Sequence, residues 1–401
     1  MSNNIKKRII TVLAVALLII AGYFAYAHVH TADLNKTKHA EKNEGEETSK
    51  TRGEARVVAN GDILIHDVVY KSAEKTNGGY DFDPYFKYVK QHIKSADLAI
   101  GDFEGTISDE YPLAGYPLFN APIEIAGTIK RQGYDVVDLA HNHILDSRLS
   151  GAINTVKVFE KLGIDSVGVY KKDRQKEGIL IKKVNGIKIA ILGYSYGYNG
   201  MEATLSKQEY KKHMSDLDET LIKKEIKEAE KKADVTIVMP QMGVEYKLEP
   251  TKEQERLYRK MIDWGADVVF GGYPHVVEPA EVIKKGGEKK LIIYSMGNFI
   301  SNQREETLDN IWTERGVLMD VTFKKKNGKT VISKAEAHPT MVLATPQKRH
   351  SEEGWTLYDY RVILLKDFIK GGKYRTEIDS ATQKRVDTAY EEMNKHVNLK
   401  F

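Results

Sequence analysis

Short apolar runs alternate with amphipathic stretches from about residue 54 onward, which predicts βα units built around a largely parallel sheet. Five of the runs stop directly before polar side chains. They cover residues 56–60, 97–100, 135–140, 234–238 and 267–270. Because ligands bind outside the carboxyl ends of parallel strands, the pattern predicts one shared polar site at that edge of one sheet.

The hydrophobic pattern changes further along the chain. Residues 291–295, 316–323 and 330–337 read as strands, and Asn327-Gly328 lies between the last two. This dipeptide is typical of a tight hairpin turn. The sequence therefore predicts that the sheet ends in antiparallel strands.

Two helices carry local end signals. Thr251 and Gln254 have the spacing of a capping box, and Gly265 stands where such a helix would end. A C-terminal helix is predicted to start at Ser380, capped with Gln383, and its apolar stripe predicts packing onto the domain.

The N-terminus predicts a membrane anchor. Basic residues 6–8 precede an uncharged apolar run over 9–27, which as a helix would span ~28 Å, close to the hydrocarbon thickness of a bilayer. The basic side predicts a cytoplasmic N-terminus and an extracellular body. A cleaved signal peptide ending near Ala27 is the alternative.

These patterns divide the chain into five parts and predict a single-pass protein of the cell membrane. The parts are a cytoplasmic basic segment 1–8, a transmembrane anchor 9–29, a flexible polar linker 30–53, a folded domain 54–345 and a C-terminal extension with a terminal helix 346–401.

The composition limits the kinds of partner and of metal ligand that the chain can have. Of the 401 residues, 41% are hydrophobic and 29% charged, and the net charge is only +4, with lysine and glutamate intermixed. This balance does not predict a nucleic-acid partner. The chain has no cysteine, so any metal site must use oxygen and imidazole ligands.

The polar residues after the five runs are of the types that two-metal hydrolases use. Such a site needs a bridging carboxylate flanked by ligands private to each ion. Each residue also has an ordinary interpretation, such as a turn residue for Asp62, a helix start for His66 and a loop residue for His275. Their shared position at strand ends favours a common metal site. The sequence contains neither a Gly-x-Ser-x-Gly elbow nor a phosphate-binding P-loop.

The motifs around these residues resemble the CapA-type family of capsule (poly-γ-glutamate) synthesis proteins, which is related to calcineurin-like metallophosphatases. The resemblance runs in order through the segments 61–67, 80–82, 96–104, 116–122, 139–146, 186–190, 194–200, 243–246, 274–279 and 294–303. It implies a four-layer α/β/β/α metallophosphatase-like sandwich carried on an N-terminal transmembrane helix.

The resemblance also implies roles for individual residues. The implied metal ligands are Asp62, His66, Asp102, Glu104, Asn142, Gln241 and His275. The implied catalytic residues are His143, as the acid or transition-state-stabilising group, and Asn142. The implied binding residues are His141, Glu245, Tyr273 and Asn298.

Three positions depart from the pattern of the resembling family. Gln241 and Tyr273 stand where the family has histidine, and His141 stands where it has asparagine. The cofactor is therefore expected to be a divalent metal (Mn, Zn, Fe or Mg), with one well-held ion and a weakened or lost second site.

Two hypotheses about function remain open. The first is a surface-polymer factor that retains weak metal-dependent phosphoesterase-like activity. The second is a non-catalytic module that uses the former metallophosphatase cleft to bind polymer or a partner. The expected partners are the membrane through the N-terminal helix, an anionic surface polymer and the membrane proteins of a capsule-synthesis complex, with no nucleic acid.

Overall fold

Two β-sheets stacked face to face form the centre of residues 52–401, the part of the chain that the computed structural model describes. The predicted anchor 9–29 and nearly all of the linker 30–53 lie outside the described residues. Among residues 52–401, none of the helices combines the length and the apolar character that a membrane crossing requires.

The strands are β1 Glu54–Leu64, β2 Leu98–Glu104, β3 Val136–Asp138, β4 Asp165–Val167, β5 Leu180–Val184, β6 Ile187–Ser195, β7 Val235–Gln241, β8 Val268–Phe270, β9 Val277–Lys285, β10 Glu288–Met296, β11 Asn298–Ile300, β12 Arg315–Lys326, β13 Lys329–His350 and β14 Thr356–Leu364. The helices are α1 Asp67–Ser72, α2 Lys90–Lys94, α3 Glu124–Gln132, α4 Arg148–Lys161, α5 Arg174–Glu177, α6 Lys207–His213, α7 Glu219–Lys232, α8 Lys252–Trp264, α9 Glu305–Leu308 and α10 Ser380–Val397. Short 3₁₀ turns occupy Asp83–Phe86, Met201–Thr204, Ile311–Glu314, Leu365–Asp367 and Arg375–Glu377.

The first sheet has the strand order β14-β13-β12-β1-β2-β3-β4, with β11 paired to β1. Strands β1 to β4 run parallel, whereas β12, β13 and β14 join antiparallel. The β12–β13 hairpin turns at Asn327-Gly328, so the predicted turn and the predicted antiparallel end of the sheet are confirmed.

The second sheet has the order β5-β6-β7-β8-β10-β9 and is parallel from β6 through β10. The prediction that all five polar strand ends belong to one sheet is wrong. Strands β1, β2 and β3 lie in the first sheet, whereas β7 and β8 lie in the second. A hydrophobic run identifies a strand but does not specify its pairing partner, so the sequence pattern could not separate the two sheets.

Three apolar clusters define the layers. Val57 and Ile100 of the first sheet pack with Ile237 and Phe270 of the second in the cluster between the sheets. Helices α3 and α4 cover the outer face of the first sheet, and α7 and α8 cover that of the second. The predicted mixed α/β sandwich is confirmed. Strands buried on both faces explain why the sequence shows continuous apolar runs instead of alternation.

The helix-end signals predicted the ends of α8 correctly but the cap of α10 incorrectly. Thr251 and Gln254 form the predicted capping box of α8, and Gly265 follows its last turn. Helix α10 begins at Ser380 as predicted, but its cap is the carboxylate of Asp379, which accepts the backbone N–H of Thr382. Gln383 instead donates to the carbonyl oxygens of the preceding turn, so the predicted cap was wrong.

The C-terminal segment belongs to the same body as the rest. The predicted boundary between the domain and the extension, after residue 345, lies inside β13, and the segment 346–401 supplies β14 to the first sheet. Val386 and Met393 of α10 pack into the cluster between the sheets. The prediction that the terminal helix packs on the domain is thereby confirmed.

Candidate metal centre

Asp62, Glu104 and His275 converge at the carboxyl edge of the sheets. Asp62 lies near the end of β1, Glu104 ends β2 and His275 follows β8, and all three are buried. One ligand atom from each lies within 4.8 Å of the others. His275 Nδ1 is 2.9 Å from Asp62 Oδ2 and 3.8 Å from Glu104 Oε2. Two carboxylates and an imidazole form a donor set that suits a divalent cation.

The backbone places these groups through a close approach of two strands. The Asp62 N–H donates to the carbonyl of Gly297 over 3.1 Å. A Cβ on the preceding residue, Gly61, would lie only 1.8 Å from that carbonyl oxygen. Glycine at position 61 therefore lets β1 carry Asp62 into the site. His275 is itself held in a left-handed conformation with φ of 58°.

Several oxygens at this edge lack a hydrogen-bond partner from the protein. They are Asp62 Oδ1, both carboxylate oxygens of Glu104 and Asn142 Oδ1, and each is buried. A buried polar atom without a partner is costly, so such a group needs an explanation. Unpartnered oxygens gathered around the three ligands fit a site that holds a cation.

The charge state of His275 reflects the same surroundings. Burial alone would lower the pKa of His275, but the carboxylates of Glu104 and Asp62 raise it to about 9. Asn298 Oδ1 lies 3.2 Å from the same nitrogen, and its amide nitrogen donates to the Thr313 carbonyl. Asn298 therefore helps to fix the orientation of the imidazole.

Asp102 lies beside the three ligands but is held by other partners. Its Oδ1 contacts His141 Nε2 in a short hydrogen bond, and its Oδ2 accepts the Gln241 amide over 2.7 Å. Burial opposes a charge on His141, yet Asp102 raises the pKa of His141 to about 10. Both oxygens of Asp102 are thus occupied, and the predicted ligands Asp102 and Gln241 bond to each other.

Sequence reasoning missed Asp138, which lies behind this cluster. The side chain is buried, its Oδ1 accepts the Ala140 N–H, and burial raises the pKa of Asp138 to about 8. Gly193 makes room for it, because a Cβ there would lie 2.3 Å from Asp138 Oδ1. An acidic residue inside an otherwise apolar run was the available signal.

His143 faces the site from the first sheet. Its Nδ1 lies 2.7 Å from Asp146 Oδ2, and its Nε2 lies 4.0 Å from Glu104 Oε1. Asp146 also accepts the backbone N–H of Phe119 over 2.6 Å, which fixes the carboxylate. Sequence reasoning assigned no role to Asp146, although its spacing of three residues from His143 places both on one turn.

Asn142 and Asn199 complete this wall. The Asn142 amide donates to Asn199 Oδ1 over 3.3 Å, and the Asn199 amide nitrogen lies 3.4 Å from His143 Nε2. Asn142 Oδ1 takes no part in this bond and is buried without a hydrogen-bond partner in the protein. Asn199 is a second site residue that the sequence reasoning did not select.

A cavity of about 630 Å³ opens onto these groups. Its lining includes His66, Asn142, His143, Glu245 and His275. His66 Nδ1 accepts the backbone N–H of Asn302, and desolvation together with the charge of His275 lowers the pKa of His66 to about 3. His66 therefore lies on the cavity wall as a neutral imidazole, outside the group formed by Asp62, Glu104 and His275.

Tyr273 and Glu245 lie at the rim. The Tyr273 hydroxyl donates to Glu245 Oε1 over 3.3 Å, and its ring packs against Tyr196 with centroids 4.4 Å apart. The Tyr273 and His275 rings are 6.3 Å apart. The Tyr273 phenol is thus bonded to Glu245, a residue of the cavity lining. A binding role for Tyr273 and Glu245 stays a prediction.

The sequence and the fold have relatives among known proteins. The family model described as bacterial capsule synthesis protein PGA_cap matches residues 56–303. The capsule biosynthesis protein CapA of Bacillus anthracis is 31% identical over 251 residues, which cover 61% of this chain and 59% of that protein. The PGA biosynthesis protein CapA of Bacillus subtilis (strain 168) is 32% identical over 247 residues, covering 61% and 62%. The chain therefore spans less than two thirds of the length of either relative.

Among solved structures, the calcineurin-like phosphoesterase YfkN from Bacillus subtilis is similar to this chain with a TM-score of 0.42 and 15% identity. The similarity covers 71% of this chain and 90% of that one. Similarity of this size assigns no reaction.

Proposed function

Because the chain belongs to the PGA_cap family of bacterial capsule synthesis proteins, we propose that it acts in the synthesis, export or anchoring of an anionic surface polymer of the poly-γ-glutamate type. The names of its relatives, capsule biosynthesis and PGA biosynthesis proteins, support this role. The proposal places residues 9–29 in the cell membrane and the folded body outside the cell.

A single metal ion at Asp62, Glu104 and His275 is the second part of the proposal. The supporting observation is the convergence of these three buried ligands beside carboxylate oxygens that have no protein partner. Only one ion is proposed, since Asp102 already bonds with His141 and Gln241 through its two oxygens. The proposed fold is accordingly a metallophosphatase-like sandwich with an altered metal site.

The chemistry proposed for the site is hydrolysis or transfer at a polar bond of the substrate. A divalent ion held there would polarise a substrate oxygen or activate a water molecule. His143 lines the cavity with Nε2 towards Glu104 and holds Nδ1 against Asp146, so it can give a proton to a leaving group at Nε2. Asp146 is a positioning residue, and Asn142 and Asn199 offer amide contacts to the substrate.

A phosphodiester reporter tests the catalytic proposal. The purified chain is stripped with a chelator and supplied with Mn²⁺, Zn²⁺, Fe²⁺ or Mg²⁺ in turn. Turnover should appear only with metal and should be lost in Asp62→Asn and His143→Gln. Asp263→Asn and His350→Gln serve as matched controls, because both side chains are exposed and neither lines the cavity. Metal-independent turnover, or turnover retained in Asp62→Asn, would contradict the proposal.

A non-catalytic binding module is the second candidate function. It is favoured by the Gln241 amide, which satisfies Asp102 inside the site and so leaves fewer groups for a second ion. Cells that lack the protein can be complemented with the wild type, Asp62→Asn or a chain without residues 9–29. Polymer production that survives Asp62→Asn but requires residues 9–29 would favour the binding module over catalysis.

A further inference from the structure

Three turns rich in lysine meet at the end of the sandwich opposite the metal centre. They are the β5–β6, β9–β10 and β12–β13 turns. The exposed lysines on these turns and the adjoining strand ends are Lys183, Lys188, Lys284, Lys289, Lys324, Lys325, Lys326 and Lys329. We call this group of eight lysines the basic end.

Direct contacts hold the three turns together. The Gly53 N–H donates to the carbonyl of Asn185 in the β5–β6 turn, and the Lys325 N–H donates to the carbonyl of Gly53, each over 2.8 Å. Lys329 Nζ, at the start of β13, lies 3.4 Å from Glu288 Oε1, at the start of β10. The basic end is therefore one continuous surface.

Few acids neutralise this surface. Lys324 pairs with Glu54, Lys325 with Asp234 and Lys329 with Glu288, at 3.2–3.4 Å. Asp165 at the start of β4 is paired with Lys182, which lies outside this group of eight lysines. The eight lysines outnumber the three carboxylates that pair with them, so the group carries an excess of positive charge. Clustered lysines of this kind attract surfaces made of anionic lipid headgroups.

The path of the chain indicates which binding partner the basic end meets. Gly53 lies within the basic end, and the residues that precede it lead back to the predicted anchor 9–29. In the proposed anchoring, the linker 30–53 therefore enters the body at the basic end. In β1, Asp62 lies eight residues beyond Glu54, which corresponds to about 26 Å along the strand.

We propose that the basic end docks on anionic lipid headgroups and holds the metal-centre cavity away from the membrane, towards the polymer outside. The inference rests on the proposed anchoring and is independent of the metal chemistry. An orientation of this kind would present the cavity to substrate while the anchor limits the distance from the bilayer.

The test uses the full chain in lipid nanodiscs and exploits the absence of cysteine. An environment-sensitive fluorophore is attached to Lys329→Cys in the basic end, or to Ala203→Cys beside the cavity residue Met201 as the control. Quenching by a headgroup-linked quencher is compared in phosphatidylcholine discs with and without phosphatidylglycerol. Phosphatidylglycerol should increase quenching severalfold at 329, leave it unchanged at 203, and lose this effect at high salt.

Two sets of charge variants test whether the lysines of the basic end cause the lipid effect. Lys324→Gln, Lys325→Gln and Lys326→Gln together should abolish the lipid effect at 329. Lys223→Gln, Lys224→Gln and Lys227→Gln, which remove the same number of exposed charges from α7, should preserve it. Circular dichroism and the unfolding temperature show whether each variant is folded.

Three results would overturn the inference. These are quenching at 329 that is indifferent to phosphatidylglycerol, equal effects at 203 and 329, and a response at 329 to added polyglutamate but not to lipid. The last result would make the basic end a polymer-binding surface. A chain that fails to enter the discs would refute the proposed anchor instead, and flotation with added anionic vesicles would then decide the lipid-docking claim.

Discussion

His275 Nδ1 lies 2.9 Å from Asp62 Oδ2, although 213 residues separate the two in the chain. One group arrives from the first sheet and the other from the loop after a strand of the second sheet. The contact between them, with Glu104 beside both, is the feature on which the proposed metal site depends.

Loss of a carboxylate ligand should weaken metal binding more than any rim substitution. Glu104→Gln replaces a charged metal ligand neither of whose oxygens has a hydrogen-bond partner in the protein, and affinity for Mn²⁺ or Zn²⁺ should fall by roughly 100-fold or more. Titration calorimetry measures the change. Glu245→Gln at the rim is the matched control and should bind like the wild type. Equal affinity in Glu104→Gln and the control would remove Glu104 from the site.

The metal stoichiometry of the wild type should be one tightly held ion per chain. Asp102 cannot offer a second site while it bonds with His141 and Gln241. Elemental analysis after dialysis decides the number. Two retained ions per chain would contradict the single-ion proposal, whatever the activity of the protein.

Asp146→Asn should reduce activity without changing the number of bound ions. The wild-type carboxylate lies 2.7 Å from His143 Nδ1, and an amide nitrogen in that place would oppose the same ring orientation. Turnover should fall roughly 10- to 100-fold, because the carboxylate that orients the His143 ring is lost. Unchanged turnover would show that Asp146 has only a structural role.

Glu278 should make the protein less stable as the pH rises. Burial raises the pKa of Glu278 from 4.5 to about 8, while Gln254 donates to its Oε2. The folded chain therefore keeps a proton that the unfolded chain loses between these values, and folding stability falls as the pH rises from about 4.5 to 8. The upper limit of the slope is about 1.4 kcal/mol per pH unit.

Urea unfolding at several pH values in this window measures the effect. Glu278→Gln keeps the shape and an acceptor for Gln254, so the difference between the wild type and the variant isolates the carboxyl group. The stability of the variant relative to the wild type should increase with pH. A constant difference across the window would refute the prediction.

Gly61→Ala should destabilise the protein severely. The new Cβ would lie 1.8 Å from the Gly297 carbonyl oxygen, which is backbone and cannot move aside without disturbing β1 and β11. A loss of about 3 kcal/mol or more is expected from overpacking at a rigid contact. Gly197→Ala is the control, because a Cβ there would have no atom within 4 Å apart from its own residue and its two chain neighbours. Chemical unfolding of both variants decides the comparison, and equal stability would refute the close approach.

The sequence alone predicts eight of the strands, the capping box of α8 and the hairpin turn at Asn327-Gly328, because these depend on residues that are neighbours along the chain. It also identified Asp62, Glu104 and His275 as candidates, since polar residues directly after apolar runs stand out in the pattern. The family motifs added the resemblance that the match over residues 56–303 supports.

Which of these candidates meet depends on how the two sheets pack. The pattern could not reveal that two sheets contribute to one edge, that Gln241 bonds with Asp102, or that Asp146 holds His143. The predicted cap of α10 was also wrong, because Asp379 accepts the Thr382 N–H whereas Gln383 donates to carbonyl oxygens of the preceding turn, and the backbone conformation decides which side chain caps the helix. Such outcomes depend on strand pairing and on distances between residues far apart in sequence, and hydrophobic periodicity carries no information about either.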